Sequence, residues 1–141
     1  MSGPEAESKK AAAPTSLQSK TKRLLSQTAA PDVRKRAPKD WLENPAQFGW
    51  NPPDRDWRSA DTNDARAAQA IARQCHAVAK AVIAAKAASG VTDADLAREL
   101  GKHENTVGRY LRGDAPMPLW VINRMAAFLQ LDVTLDVTPR D

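Results

Sequence analysis

Residues 92–113 read TDADLARELGKHENTVGRYLRG. Two short helical patterns meet there at a tight turn on Gly101. Leu96, Ala97 and Leu100 give the first segment one apolar face at helical spacing, and Val107, Tyr110 and Leu111 do the same for the second. Thr92 is placed to cap the first helix, with Asp93 and Asp95 in a first turn whose dipole favours negative charge. Gly101 and Gly113 stand where each helix must stop, positions that call for a left-handed residue.

Helices this close in sequence cross at a large angle. The crossing requires a small side chain where the backbones approach, and Ala97 supplies one. Leu96 and Leu100 then face Val107 and Tyr110 across the wedge. This is the logic of a helix-turn-helix, which holds its second helix proud of the surface for a DNA major groove.

The stretch LARELGKHENTVGRYLRG, residues 96–113, resembles the Cro/repressor (Xre) family of helix-turn-helix proteins. The likeness runs ungapped through Leu96-Ala97, Leu100-Gly101, Thr106-Val107, Arg109-Tyr110 and Arg112-Gly113. It extends back through Val82, Lys86, Gly90 and Val91, and forward through Pro118, Ile122, Met125-Ala126 and Leu129, covering roughly residues 75–131. The resemblance implies a dimeric, sequence-specific transcriptional regulator, a repressor of bacterial or phage origin working in the cytoplasm. It puts the base-contacting positions on Glu104 and Asn105, with Arg109 one turn on.

With Val107, Tyr110 and Leu111 turned inward, the outer face of the second helix carries Glu104, Asn105, Gly108, Arg109 and Arg112. Asn105 suits a bidentate pair with adenine and Arg109 one with guanine. Gly108 removes a side chain where the helix would lie deepest. Lys102, His103, Thr106 and Arg112 suit phosphates. Three residues depart from the family pattern. Glu104 replaces the usual Gln, Arg or Ser, Asp93 replaces a phosphate-touching Gln, and His103 replaces a Ser or Thr cap. An acid near phosphate is repelled unless it accepts from a cytosine amino group, the reading open to Glu104. Its other reading is a favourable charge on the helix dipole.

Outward from this unit, residues 62–89 form one long helix by pattern, with Ile71, Cys75, Val78, Val82 and Ala85 on one face. Twenty-seven residues would span about 40 Å. A loop with Pro116 and Pro118 precedes a fourth helix over 118–130, whose apolar face takes Trp120 or Val121, then Ile122, Met125, Phe128 and Leu129. Residues 131–138 alternate strictly and predict a β-strand. A lone strand needs a partner for its backbone groups, and a second copy of the chain is the economical one, with the aromatic segment the competing solution. Residues 41–61 are rich in Trp and Pro, and Trp41, Phe48, Trp50 and Trp57 are four of seven aromatics in the chain. They form either a strap on the protein's own helices or a docking segment for another protein, such as a toxin that an antitoxin neutralises, with base stacking a minor option.

Residues 1–40 predict a disordered basic tail, with nine Lys/Arg against four Asp/Glu. Residues 63–141 are nearly balanced, ten against nine. The net charge of +4 therefore sits in the tail, which suits phosphate or minor-groove contacts as well as simple solubility. One cysteine, Cys75, excludes an intrachain disulfide and a Cys-based zinc site. His76 and His103 lie on different elements, and no Gly-rich phosphate loop or activated nucleophile is visible. No metal, cofactor or enzymatic role is expected. No apolar run approaches 18 residues, so no membrane span is expected either. The expected fold is mostly α: a four-to-five-helix Cro/repressor-type domain over 62–130 (helices near 62–89, 92–100, 103–112 and 118–130), a C-terminal β-strand and a disordered N-terminal tail.

Overall fold

The computed structural model describes residues 32–51 and 56–140. A single helical turn, Asp32–Lys35, belongs to a unit of its own that ends at Lys35. The second unit begins at Arg36. It is mostly α, with four helices: α1 Asn63–Ser89, α2 Asp93–Leu100, α3 Glu104–Arg112 and α4 Leu119–Phe128. Two 3-10 turns, Pro38–Trp41 and Pro45–Gln47, precede them.

Each helix end follows from its local sequence. The Ala65 N–H donates to Thr62 Oγ1 at 3.0 Å and starts α1. Thr92 and Asp95 form a reciprocal capping box on α2: the Asp95 N–H donates to Thr92 Oγ1 at 3.1 Å, and the Thr92 N–H to Asp95 Oδ2 at 3.0 Å. Gly101 ends α2 at φ 65°. His103 caps α3 through Nδ1, which accepts from the Asn105 N–H at 3.1 Å.

The core lies where α2, α3 and α4 meet α1. Leu96, Val82, Val107, Val121 and Met125 are fully buried, and Leu100, Tyr110, Leu111 and Ile122 close around them. Ile71 is a correction to the expected α1 face, because it is exposed, while Ala65, Ala72, Cys75, Ala79 and Val82 are buried. A one-residue step turns a helical side chain by about 100°. The partner lies on the alanine side, where small side chains admit it closely. On α4, Trp120 and Phe128 are exposed, and Val121, Ile122, Met125 and Ala126 carry the buried face.

That partner is the segment from residue 36 to 58. Trp41, Leu42, Phe48 and Trp57 are all buried, whereas Trp50 is exposed. The ends of the segment are tied to each other. Leu42 and Trp57 form an isolated antiparallel bridge, the Glu43 N–H donates to the Asp56 carbonyl at 2.9 Å, and the Arg58 N–H donates to that of Trp41 at 2.8 Å. Residues 38–40, expected in the disordered tail, belong to this segment: Pro38 is buried and the Lys39 N–H donates to the Gly113 carbonyl at 3.0 Å. A distant carbonyl supplies the order that local composition does not. Asp32–Lys35, also expected in the tail, form the single helical turn, and residues 1–31 lie outside the described residues, as do Pro52 and Pro53.

The β-strand expected over 131–138 is absent, and no strand occurs among the described residues. Residues 131–140 have no regular secondary structure, and Val133, Leu135 and Val137 are exposed. Alternation alone makes no ladder, since backbone donors and acceptors need a neighbouring chain segment, and the aromatic segment pairs with itself instead.

Candidate nucleic-acid interface

The pair α2–α3 presents the candidate site. Beyond Gly101 the Lys102 N–H returns to the Ala97 carbonyl at 3.0 Å, and Ala97 itself is buried where the helices pack. With Val107, Tyr110 and Leu111 buried, α3 turns its polar residues outward. His103, Glu104, Asn105, Arg109 and Arg112 are exposed, and Lys102, Thr106 and Gly108 are half-buried.

Several of these residues already have local partners. The Nδ1 of His103 is taken by the Asn105 N–H, so the imidazole does the capping work of a Ser or Thr. The Lys102 ammonium stands 5.4 Å from the Trp120 ring centre, an arrangement that favours the cation. Arg112 donates from Nε to Asp114 Oδ2 at 3.1 Å. A Cβ added to Gly108 would stand 2.9 Å from Arg112 Nη1, so the guanidinium folds back over this glycine.

Four acids around the site are matched by cations. Asp93 pairs with Lys86 on α1. Glu99 Oε2 accepts from Arg124 Nε at 2.9 Å. The Thr92 N–H bond holds the Asp95 carboxyl below the ordinary carboxylate value, with Arg98 adding to it. Asp114 is bonded by both Lys39 and Arg112, and the Lys39 ammonium chiefly holds its carboxyl low. Glu104 remains exposed in the first turn of α3, where the helix dipole favours it.

Sequence reasoning did not find the groups that join the aromatic segment to this site. The Gly49 N–H donates to His76 Nδ1 at 2.9 Å. The edges of the Phe48 and Trp57 rings meet the same imidazole, at centre distances of 5.6 and 5.5 Å. Burial, then the charge of Lys80, pushes the His76 pKa down, which suits an acceptor that stays neutral. Arg36 and Arg73 lie over Trp41 and Trp57 at 4.5 and 4.9 Å. Aromatic content was the one available signal, and it does not say which ring stays outside. Cys75 is buried beneath, where desolvation pushes its thiol up against the pull of the Met117 N–H, so it acts as a small core residue.

Among the described residues, no group of His, Cys, Asp and Glu is arranged to hold a metal ion, and no helix is long and apolar enough to cross a membrane. A family model described as a helix-turn-helix domain matches residues 66–136, just over half of the chain. No curated protein and no solved structure gives a significant match.

Proposed function

Because the chain belongs to the helix-turn-helix domain family, we propose that it is a sequence-specific transcriptional regulator of the Cro/repressor type, acting as a dimeric repressor on double-stranded DNA. The observation that carries this reading is the split character of α3. Its apolar side is buried on the domain, while Glu104, Asn105, Arg109 and Arg112 are exposed together on the other. A short helix with that division suits a major groove. Asn105 would pair with adenine, Arg109 with guanine, and Glu104 would accept from a cytosine amino group. Lys102, His103, Thr106 and Arg112 would meet phosphate oxygens, and Gly108 would leave room for Arg112 and the duplex. The basic residues of the first 40 positions would add affinity that salt removes.

The dimer is supported by apolar side chains near the C-terminus. Phe128, Val133, Leu135 and Val137 are exposed, apolar area that a second copy of the chain would cover. Two such subunits would read half-sites about one helical turn apart, roughly 34 Å. Selection of bound sequences from random duplex DNA tests the whole reading. A palindromic motif is expected, and recovery of no motif would overturn it.

A second reading makes the protein an antitoxin or other interaction module that grips a protein partner. Of the four aromatics in segment 41–58, Trp50 is the one whose exposure favours it. A partner that co-purifies and is lost on Trp50→Ala would support this reading over the first.

A further inference from the structure

The aromatic segment and α3 share an open groove of about 510 Å³. Phe48 and Leu111, both buried, give it an apolar floor. Lys39 and Trp50 from the aromatic segment and Gly108 and Arg112 from α3 line it. We infer that this groove carries one sugar–phosphate strand of a DNA duplex alongside the α3 contact, with Lys39 meeting a phosphate and the Trp50 ring lying against deoxyribose. The inference rests on the DNA-binding reading and adds to it a shoulder built from residues outside the four helices.

Three observations converge. First, Trp50 is 57% exposed in a segment whose other three aromatics are at most 9% exposed. An indole held out beside cations suits a partner that is apolar and anionic by turns, as a sugar–phosphate chain is. Second, the charge is right. Lys39 and Arg112 share the single carboxylate of Asp114, and Lys86, which also lines the groove, offsets Asp93. One positive charge is left over, and both acids are already bonded. Third, the position is right. A helix seated in a major groove has a phosphate backbone along each flank, and Arg112, with the phosphate role given it above, marks the flank of α3 that this groove follows. The backbone N–H of Lys39 is fixed to Gly113 at 3.0 Å and its ammonium pairs with Asp114, so both are held beside α3 before a duplex arrives.

The test uses the full chain and a 30-base-pair duplex of mixed sequence, since phosphate contacts do not depend on sequence. Affinity is followed by anisotropy across a sodium chloride series. Lys39→Gln should lower the slope of log K against log salt by about one, and Lys39→Arg should restore it. Trp50→Ala should weaken binding roughly fivefold, and in a Trp120→Phe background, which removes the other exposed indole, Trp50→Phe should abolish most of the tryptophan quenching that DNA causes. Wild-type slope and affinity in both Lys39→Gln and Trp50→Ala would overturn the shoulder while leaving α3 as a DNA contact. Failure of the wild-type chain to bind any duplex would overturn both. The competing occupant is a small aromatic anion. Saturable quenching of Trp50 by 2-naphthoate, with DNA affinity unchanged by Trp50→Ala, would assign the groove to that class instead.

Discussion

The α2–α3 pair and the aromatic segment are both ordered parts of one unit, yet they are held by opposite means. In α2–α3 the groups that start, stop and cross the helices lie within 22 residues: Thr92 caps one helix, His103 the other, and apolar side chains at helical spacing fill the wedge between them. The aromatic segment is tied at Lys39 to Gly113, at Gly49 to His76 and at Arg58 to Gln69. Its Phe48 ring lies on Gly113 and, with Trp57, on His76, so it depends in part on a side chain that is missing from its partner. The first region is built by periodicity, the second by fit.

The largest effect that would break this contrast is at Phe48. The ring is buried against Gly113 and His76, and Phe48→Ala should cost about 3–5 kcal/mol, a loss comparable to removing a core leucine. Urea unfolding followed by tryptophan emission measures it. A cost under about 1 kcal/mol would mean that the segment rests loosely and contributes little to the fold.

A pair of glycine substitutions sharpens the same point. Gly113 has φ 80°, and a Cβ there would stand 2.7 Å from the Phe48 ring. Gly113→Ala therefore meets both a left-handed backbone and a rigid ring, and about 2–4 kcal/mol of destabilisation is expected. Gly101 has φ 65° but nothing within 4 Å of the same position. Gly101→Ala should cost only about 1 kcal/mol, the backbone part alone. Equal losses at the two sites, read from urea midpoints, would show that the ring contact at Gly113 carries no energy.

Arg109→Ala moves the contrast to binding. The side chain is exposed on α3, so folding should be unchanged while discrimination at one base pair falls by about 1–3 kcal/mol. Anisotropy titrations against a selected site and a scrambled duplex measure it. Equal losses on both would reduce Arg109 to a phosphate contact.

The same division explains what could be read from the chain alone. Helix spacing, Thr92 and Gly101 announce α2 and α3 because every cause is local. Ile71 misleads because hydrophobicity cannot say on which side of α1 a partner lies, and the partner had chosen Ala72 and Ala79. The valines at 133 and 137 alternate as strand residues do, yet a strand also needs a second strand, which no pattern within 131–138 can supply. Lys39 reads as tail because the Gly113 carbonyl that fixes it lies far along the chain. Of the candidate DNA contacts, the outward set on α3 follows from spacing. The Lys86 partner of Asp93 and the return of Arg112 over Gly108 do not, because both depend on where flexible cations settle.

The smallest expected effect concerns His76, where the segment meets α1 through a titratable group. Its Nδ1 accepts from the Gly49 N–H, which a proton on that nitrogen would forbid. Burial and Lys80 lower its pKa in the folded chain, so as pH falls the unfolded chain takes up the proton first. Stability tied to neutral His76 is then complete above the ordinary histidine value of about 6.5 and is lost as pH falls from there through the folded value. Asp95 and Asp114 are also held low, but their contributions persist above about 3.9 and fade only as pH falls through their lower folded values. The two windows are distinct. His103 is the other histidine in the chain and caps α3, so assignment needs a substitution. The amide oxygen of His76→Gln can accept from Gly49 without taking up a proton. The wild-type chain should lose urea midpoint between pH 7.5 and 5, with a red shift in tryptophan emission as Trp57 is uncovered. His76→Gln should flatten both changes, and an unaltered pH profile in that variant would remove the effect from the join between segment and helix.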